Sequence, residues 1–210
     1  MSEKERQAGD AEPSLRERKK RETRQRISDI ATGLFKERGF DAVTVAEVAR
    51  AANVSAMTVF NYFPRKEDLY LDRIPEAAAT FARAVRGRRP GETPLAALRR
   101  LALELLDQGH PLAGVNDRFP SFWRVVMESP SLRARAREGL EEVETALTEA
   151  LTEASVADAH LLAALTVAAY RSVYVTTARR LLAGEPAAEL IDDHRARIES
   201  VFEVLERMDP

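Results

Sequence analysis

The clearest hydrophobic pattern lies near the N-terminus, where Ile27, Ile30, Ala31, Leu34 and Phe35 fall at i, i+3, i+4, i+7 and i+8. That spacing predicts one apolar stripe of an amphipathic helix. Gly39, directly after Lys36-Glu37-Arg38, marks its end. Thr44-Val45-Ala46-Glu47 then has the form of a capping box, with the Thr44 hydroxyl on the Glu47 amide and the Glu47 carboxylate on the Thr44 amide. Val45, Val48 and Ala49 supply the inward face of this second, shorter helix. Asn53 tolerates a left-handed conformation and ends it, and Ser55 offers a new N-cap two residues later. The third helix, Ala56 to Phe63, is stopped by Pro64, which disfavours helical geometry at Phe63. Ala49, Ala51 and Ala52 let the two short helices cross closely. The arrangement describes a helix-turn-helix, although the spacing alone also fits a helical hairpin that serves only as core.

The rest of the chain patterns as helix. Pro75 predicts a kink or interruption early in the fourth helix, which continues through Phe81 and Val85. Arg88 to Pro94, with two prolines and Gly91, is a loop. Leu95, Leu98, Leu101, Ala102 and Leu105 form the next apolar face, Gly109 to Gly114 another loop, and Pro120 and Pro130 bracket Phe122, Trp123, Val125, Val126 and Met127. Helices follow over Leu132 to Glu153, Val156 to Ala183 and Ala187 to Met208, the last two separated by Gly184 and Pro186. Ser172 to Thr177 has a β-like composition, but the flanking periodicity keeps it helical. The fold class is therefore all-α, about nine helices in all. Residues 1–13 are polar and end at Pro13, the pattern of a disordered tail. Residues 14–66 form the helix-turn-helix unit, and 67–210 a C-terminal helical domain.

Composition narrows the function classes. Apolar residues make up 45% and charged residues 31%, as in ordinary globular proteins. With no cysteine, a disulfide scaffold, a Cys-ligated zinc site and a thiol nucleophile are excluded. Stretches without Asp, Glu, Lys or Arg, such as Ala159 to Tyr170, are too short to span a bilayer, and the charged first 30 residues lack a signal-peptide core, so a cytoplasmic location is expected. The formal charge of −2 is uneven: residues 1–66 carry 14 basic and 10 acidic side chains, net +4, and the remaining 144 carry 18 and 24, net −6. The sharpest basic cluster is Arg16, Arg18, Lys19, Lys20, Arg21, Arg24 and Arg26, and such asymmetry points toward nucleic acid. An enzyme is not expected. His110, His160 and His194 are far apart, no Gly-rich phosphate loop is present, and no cofactor or metal site is evident.

The ordered run from Arg24 to Leu69 strongly resembles the TetR family of bacterial transcriptional regulators. The residues that carry it are Ile30-Ala31, Leu34-Phe35, Gly39-Phe40, Thr44-Val45, Val48-Ala49, Val54-Ser55, Thr58-Val59-Phe60-Asn61-Tyr62-Phe63 and Lys66-Glu67-Asp68-Leu69. Met57 stands where glycine is frequent, and Phe60 where tyrosine often supplies a phosphate-binding hydroxyl; Phe60 is expected to pack instead.

In helix-turn-helix geometry the recognition helix enters the major groove. Ser55 and Thr58 bond bases or phosphate, Ala56 and Met57 offer apolar contact, and Asn61 reads an adenine edge. The resemblance places phosphate contacts at Thr44, Tyr62 and Lys66, and Arg18, Lys19, Lys20 and Arg21 are placed to reach backbone or minor groove. Capping by Thr44 and Ser55 and packing by Tyr62 are equally consistent with the pattern.

Few base contacts imply a homodimer on a palindromic operator. The last two helices, through Leu190, Ile191, His194, Ile198, Val201 and Phe202, are the candidate seam, implied by resemblance to be a four-helix bundle; the same stripe also fits intrachain core. The resemblance further implies a ligand-binding pocket in the C-terminal domain. Candidates are Leu105, Phe119, Phe122, Trp123, Met127, Tyr170 and Tyr174, residues equally suited to core. Segments 89–98, His110-Pro111-Leu112 and 168–171 resemble an actinobacterial branch taking acyl-CoA-like effectors, for which Arg99-Arg100 and Arg179-Arg180 are candidate phosphate contacts. The family mechanism implied is repression relieved by ligand through movement of the fourth helix, with Pro75 as a pivot. The alternative is a ligand-independent or accessory DNA-binding protein.

Overall fold

The computed structural model describes residues 14–208; the expected tail, 1–13, lies outside them. The chain divides into two compact units at the Tyr70–Leu71 peptide, and every regular element among the described residues is helical.

The first unit contains α1 (Leu15–Arg38), α2 (Val45–Ala51) and α3 (Ala56–Tyr62), followed by a single 3₁₀ turn, Glu67–Leu69. Helix α1 starts at a capping box: the Ser14 hydroxyl accepts from the Glu17 amide at 3.2 Å and Glu17 accepts from the Ser14 amide at 2.8 Å. The basic cluster therefore lies on the first turns of α1. Gly39, at φ 83°, ends the helix with its amide on the Phe35 carbonyl. At α2 the capping box is complete, with Thr44 Oγ1 accepting from the Glu47 amide at 3.2 Å and Glu47 accepting from the Thr44 amide at 2.8 Å. Asn53 takes the left-handed conformation, φ 53°, and Ser55 caps α3 by accepting from the Thr58 amide. Ile27, Ala31, Phe35, Val48, Val59 and Phe63 close the core. Residues 67–70 pack into this unit: the Ser28 hydroxyl donates to the Leu69 carbonyl at 3.3 Å, and Tyr70 stands edge-on to Phe35 with centroids 5.8 Å apart. The unit thus runs past Lys66, where the change of charge had set the boundary.

The second unit contains α4 (Ile74–Arg86), α5 (Pro94–Asp107), α6 (Phe119–Glu128), α7 (Pro130–Glu153), α8 (Ala159–Leu182) and α9 (Ala187–Met208). Pro75, Pro94, Pro120 and Pro130 all lie in the first turn of their helices. There the missing amide costs no helical bond and the fixed φ favours initiation. This corrects the expected kink at Pro75: that proline begins α4 and does not interrupt it. Helix α8 starts three residues later than the pattern suggested, because Asp158 is left-handed at φ 49°. Gly139 of α7 lets α4 approach closely, since a Cβ there would stand 2.6 Å from Ile74 Cδ1. Arg86 of α4 bonds both carboxylate oxygens of Glu153 on α7, at 2.6 and 2.8 Å. By length and composition α8 suffices to cross a membrane, contrary to the reading of its uncharged stretch. Here it packs against α6, α7 and α9 and leaves Leu161 and Leu182 exposed.

Candidate nucleic-acid interface and candidate effector site

The core of the first unit takes Val59 and Phe63 from α3 and its cap, leaving Tyr62 half-buried. Ala56, Met57, Phe60 and Asn61 then share the opposite face and are all exposed. Phe60, expected to pack, is 46% exposed, and Met57 69% exposed. With Val59 one position away filling the core, the helical period turns Phe60 outward. Ser55 is also exposed, but its hydroxyl already accepts from the Thr58 amide at 3.0 Å and pairs with Thr58 Oγ1 at 2.8 Å.

Arg18, Lys19, Lys20 and Arg21 are exposed on the first turns of α1. Arg24 lies over the Phe63 ring, 4.7 Å from its centroid. Thr44 is exposed, yet its hydroxyl donates to Glu47 Oε2 at 2.8 Å and so closes the cap upon itself. Glu47 is held down to about 2, first by the Thr44 amide, then by Arg38 and the Thr44 hydroxyl. Lys66 has a structural role that its sequence position did not announce. Its ammonium donates to the Phe40 carbonyl at 2.6 Å and sits 4.2 Å from the Phe40 ring centroid. Burial lowers its pKa below the ordinary lysine value, partly opposed by Asp41, Glu67 and Glu47.

In the second unit Phe119, Phe122, Trp123 and Tyr174 form a cluster of rings. Phe119 stacks on Phe122 at 5.8 Å and meets Trp123 and Tyr174 edge-on at 5.9 and 5.1 Å. Tyr170 donates to the Leu112 carbonyl at 3.3 Å and stands edge-on to Phe81 at 5.4 Å. Burial pushes Tyr170 up to about 12 and Tyr174 further, so both phenols are neutral donors. Trp123 Nε1 is buried without a hydrogen-bond partner among the described residues. Leu105 is buried in the same core. Met127 does not join the group: it is 53% exposed at the end of α6, where its carbonyl accepts from Arg133. Two residues were missed. Phe81 is one. Gly114 is the other, at φ 76°, where a Cβ would lie 2.2 Å from Tyr174 Cε2; its place in a short loop gave no signal of the ring against it.

Of the expected phosphate contacts of the second unit, Arg99, Arg100 and Arg180 are already engaged, while Arg179 is exposed. Arg100 pairs with Glu92 at 2.8 Å and Glu104 at 3.2 Å, Arg180 with Glu185 and Asp193, and Arg99 with Glu206 at 3.8 Å. The α9 stripe also needs correction as a dimer seam. Leu190, His194, Ile198 and Phe202 are at most 1% exposed within the single chain, and Val201 packs partly buried on the same core. The helix faces α5 and α8, and the four fully buried residues have no surface left for a second copy; Ile191 alone of the six is exposed. His194 Nδ1 lies 2.7 Å from Thr177 Oγ1, and burial takes the imidazole down to about 4. The exposed apolar positions lie elsewhere: Leu161 and Leu182 on α8, and Val204 and Met208 on α9.

Residues 27–72 match the family described as bacterial regulatory proteins, tetR family. Over 136 residues the chain is 34% identical to the HTH-type transcriptional regulator TcmR of Streptomyces glaucescens, covering 63% of this chain and 60% of that protein. It is 29% identical over 89 residues to the HTH-type transcriptional regulator AcrR of Shigella flexneri, 41% of each chain. The matched region thus spans about three fifths or less of these relatives' own length. Among solved structures, a TetR-family regulator from Streptomyces coelicolor A3 aligns with a TM-score of 0.54 at 19% identity, over 92% of this chain and 99% of that one. The SmeT–triclosan complex aligns at 0.57 and 16% identity, over 88% and 90%. At these identities the structural likeness establishes the fold.

Proposed function

From the match of residues 27–72 to the tetR family and the 34% identity to TcmR, we propose that the chain is a TetR-family transcriptional regulator of the cytoplasm, a repressor that binds a palindromic operator as a homodimer and releases it on binding a small hydrophobic effector. The observation that carries this reading is the outward face of α3. It presents Met57 and Phe60 to solvent beside Asn61, an arrangement that does nothing for folding but suits the edges of bases in a major groove. The exposed basic side chains of α1 supply the sequence-independent attraction to phosphate. Arg18, Lys19, Lys20 and Arg21 are the phosphate contacts in this reading. Lys66 contributes charge but chiefly holds the Phe40 turn, and Thr44 acts first as a cap.

The dimer seam is re-assigned. Leu161, Leu165, Ala168, Val175 and Leu182 fall on one face of α8 at helical spacing, and Leu161 and Leu182 are exposed there. We place the seam on this face, joined by exposed apolar residues of α9 such as Val204. Leu161→Glu combined with Ala168→Glu should convert a dimer into a folded monomer in sedimentation at micromolar concentration. A wild type that is already monomeric there contradicts the assignment.

For the effector, the ring cluster around Trp123 is the candidate site, and its unpartnered indole N–H is the polar handle. An acyl-CoA loses support, because three of the four arginines that would meet its phosphates, Arg99, Arg100 and Arg180, are paired with carboxylates. The close ring packing favours a second reading, a regulator without ligand control. Native mass spectrometry of protein purified from its own host separates the two: a bound small molecule supports the effector reading, and a bare dimer that binds DNA supports the other. Selection from random duplexes tests the main proposal. Two protomers on a two-fold sequence are expected, and absence of any enriched duplex overturns it.

A further inference from the structure

Resting on the DNA-binding reading, we propose that α3 reads A·T base pairs, through thymine methyl groups on Met57 and Phe60 and an adenine edge on Asn61, and that its operator half-site therefore carries no G·C pair beneath this helix. The surface exposed by α3 consists of a methyl group, a thioether, a phenyl ring and one carboxamide, from Ala56, Met57, Phe60 and Asn61. It contains no Arg, Lys, Asp or Glu; the whole of Ala56–Tyr62 is uncharged. Each base pair shows a distinct edge in the major groove. Guanine offers two acceptors, best met by the forked donors of Arg or by Lys, and cytosine a donor, met by a carboxylate. None of these partners stands on this face. Adenine presents an acceptor and a donor side by side, the pattern a carboxamide matches with two bonds, and thymine presents its C5 methyl, which only apolar atoms welcome.

The hydroxyls do not restore a G·C contact on their own. Ser55 and Thr58 are hydrogen-bonded to each other at 2.8 Å, and Ser55 also caps the helix. That bond commits one of the two hydroxyl protons, and the single contact the other can make does not distinguish one base edge from another. Nor does folding account for the apolar face. Val59 and Phe63 already fill the core side, and Phe60 and Met57, one turn apart, gain no burial in the chain. Covering them with thymine methyls removes apolar surface from water on both partners, a gain available at no other base. The positively charged face of α1 fixes the helix on the duplex without choosing a sequence.

The test is a binding-site selection with the full-length protein, followed by replacement of individual thymines by uracil in the selected duplex. Uracil keeps the base pair and removes only the methyl group. We expect A·T pairs at the positions protected by α3, and a loss of about fourfold in affinity for each fully covered methyl removed. The combined Met57→Ala and Phe60→Ala variant, altered only at exposed positions and checked for its fold by circular dichroism, should bind thymine and uracil duplexes alike. Selected sites with G·C under α3, or equal binding of thymine and uracil duplexes by the wild type, overturn the inference while leaving DNA binding in place. Failure to enrich any duplex overturns the reading on which it rests.

Discussion

At Gly114 the backbone turns through a positive φ of 76° with the Tyr174 ring against it. Any side chain there meets both a strained conformation and an occupied space. Gly114→Ala should cost about 1–3 kcal/mol and displace Tyr174 from Phe119 and Trp123. Since Trp123 is the single tryptophan, the shift is read directly in intrinsic fluorescence, with stability from urea unfolding. His194 makes a second residue-scale case. Its helical spacing among Leu190, Ile198 and Phe202 was visible in the sequence, but spacing gives an apolar face without saying what covers it. Buried between α8 and α9, it stays neutral to about pH 4, against an ordinary value of 6.5. The unfolded chain therefore takes up a proton first, so stability is full above pH 6.5 and is lost as pH falls toward 4. The loss amounts to at most about 3 kcal/mol at the low end. His194→Leu should flatten this segment of the unfolding midpoint against pH; an unchanged slope contradicts the assignment.

At the scale of elements, local rules were the most legible. Thr44, Glu47, Asn53 and Ser55 form and end α2 and α3 as their residue types require, because each signal is satisfied by atoms within four residues. Thr44→Ala removes the cap of α2 and should cost about 1 kcal/mol, read in urea unfolding. The same box depends on ionised Glu47, so its contribution is present above pH 4.5 and fades as pH falls through about 2. The prolines were legible as breaks in the pattern, but their direction was not. Pro75 ends one pattern and begins another equally well in the sequence, and only the position of Ile74 as the first helical residue shows that it starts α4. The outward turn of Phe60 was likewise hidden, because a phenyl ring on a short helix satisfies either a core or a surface reading until Val59 is seen to fill the core.

At the scale of the molecule, the near-neutral sum of −2 conceals two units of opposite charge, and that division was legible by counting. It predicts association with DNA that weakens steeply with salt through the basic face of α1, and specificity that resides in α3. What remained illegible was assembly: α9 carries the more regular apolar stripe, yet the chain consumes it internally, and the unburied apolar surface lies on α8 and at scattered positions of α9. The most direct measurement of the central claim is fluorescence anisotropy on the selected duplex and on a scrambled one, comparing the wild type with a Met57→Ala, Phe60→Ala, Asn61→Ala triple variant at one salt concentration. The wild type should prefer the selected duplex by at least about a thousandfold, and the variant should lose that preference while binding the scrambled duplex as before. Equal preference in the two proteins would contradict the placement of sequence recognition on α3.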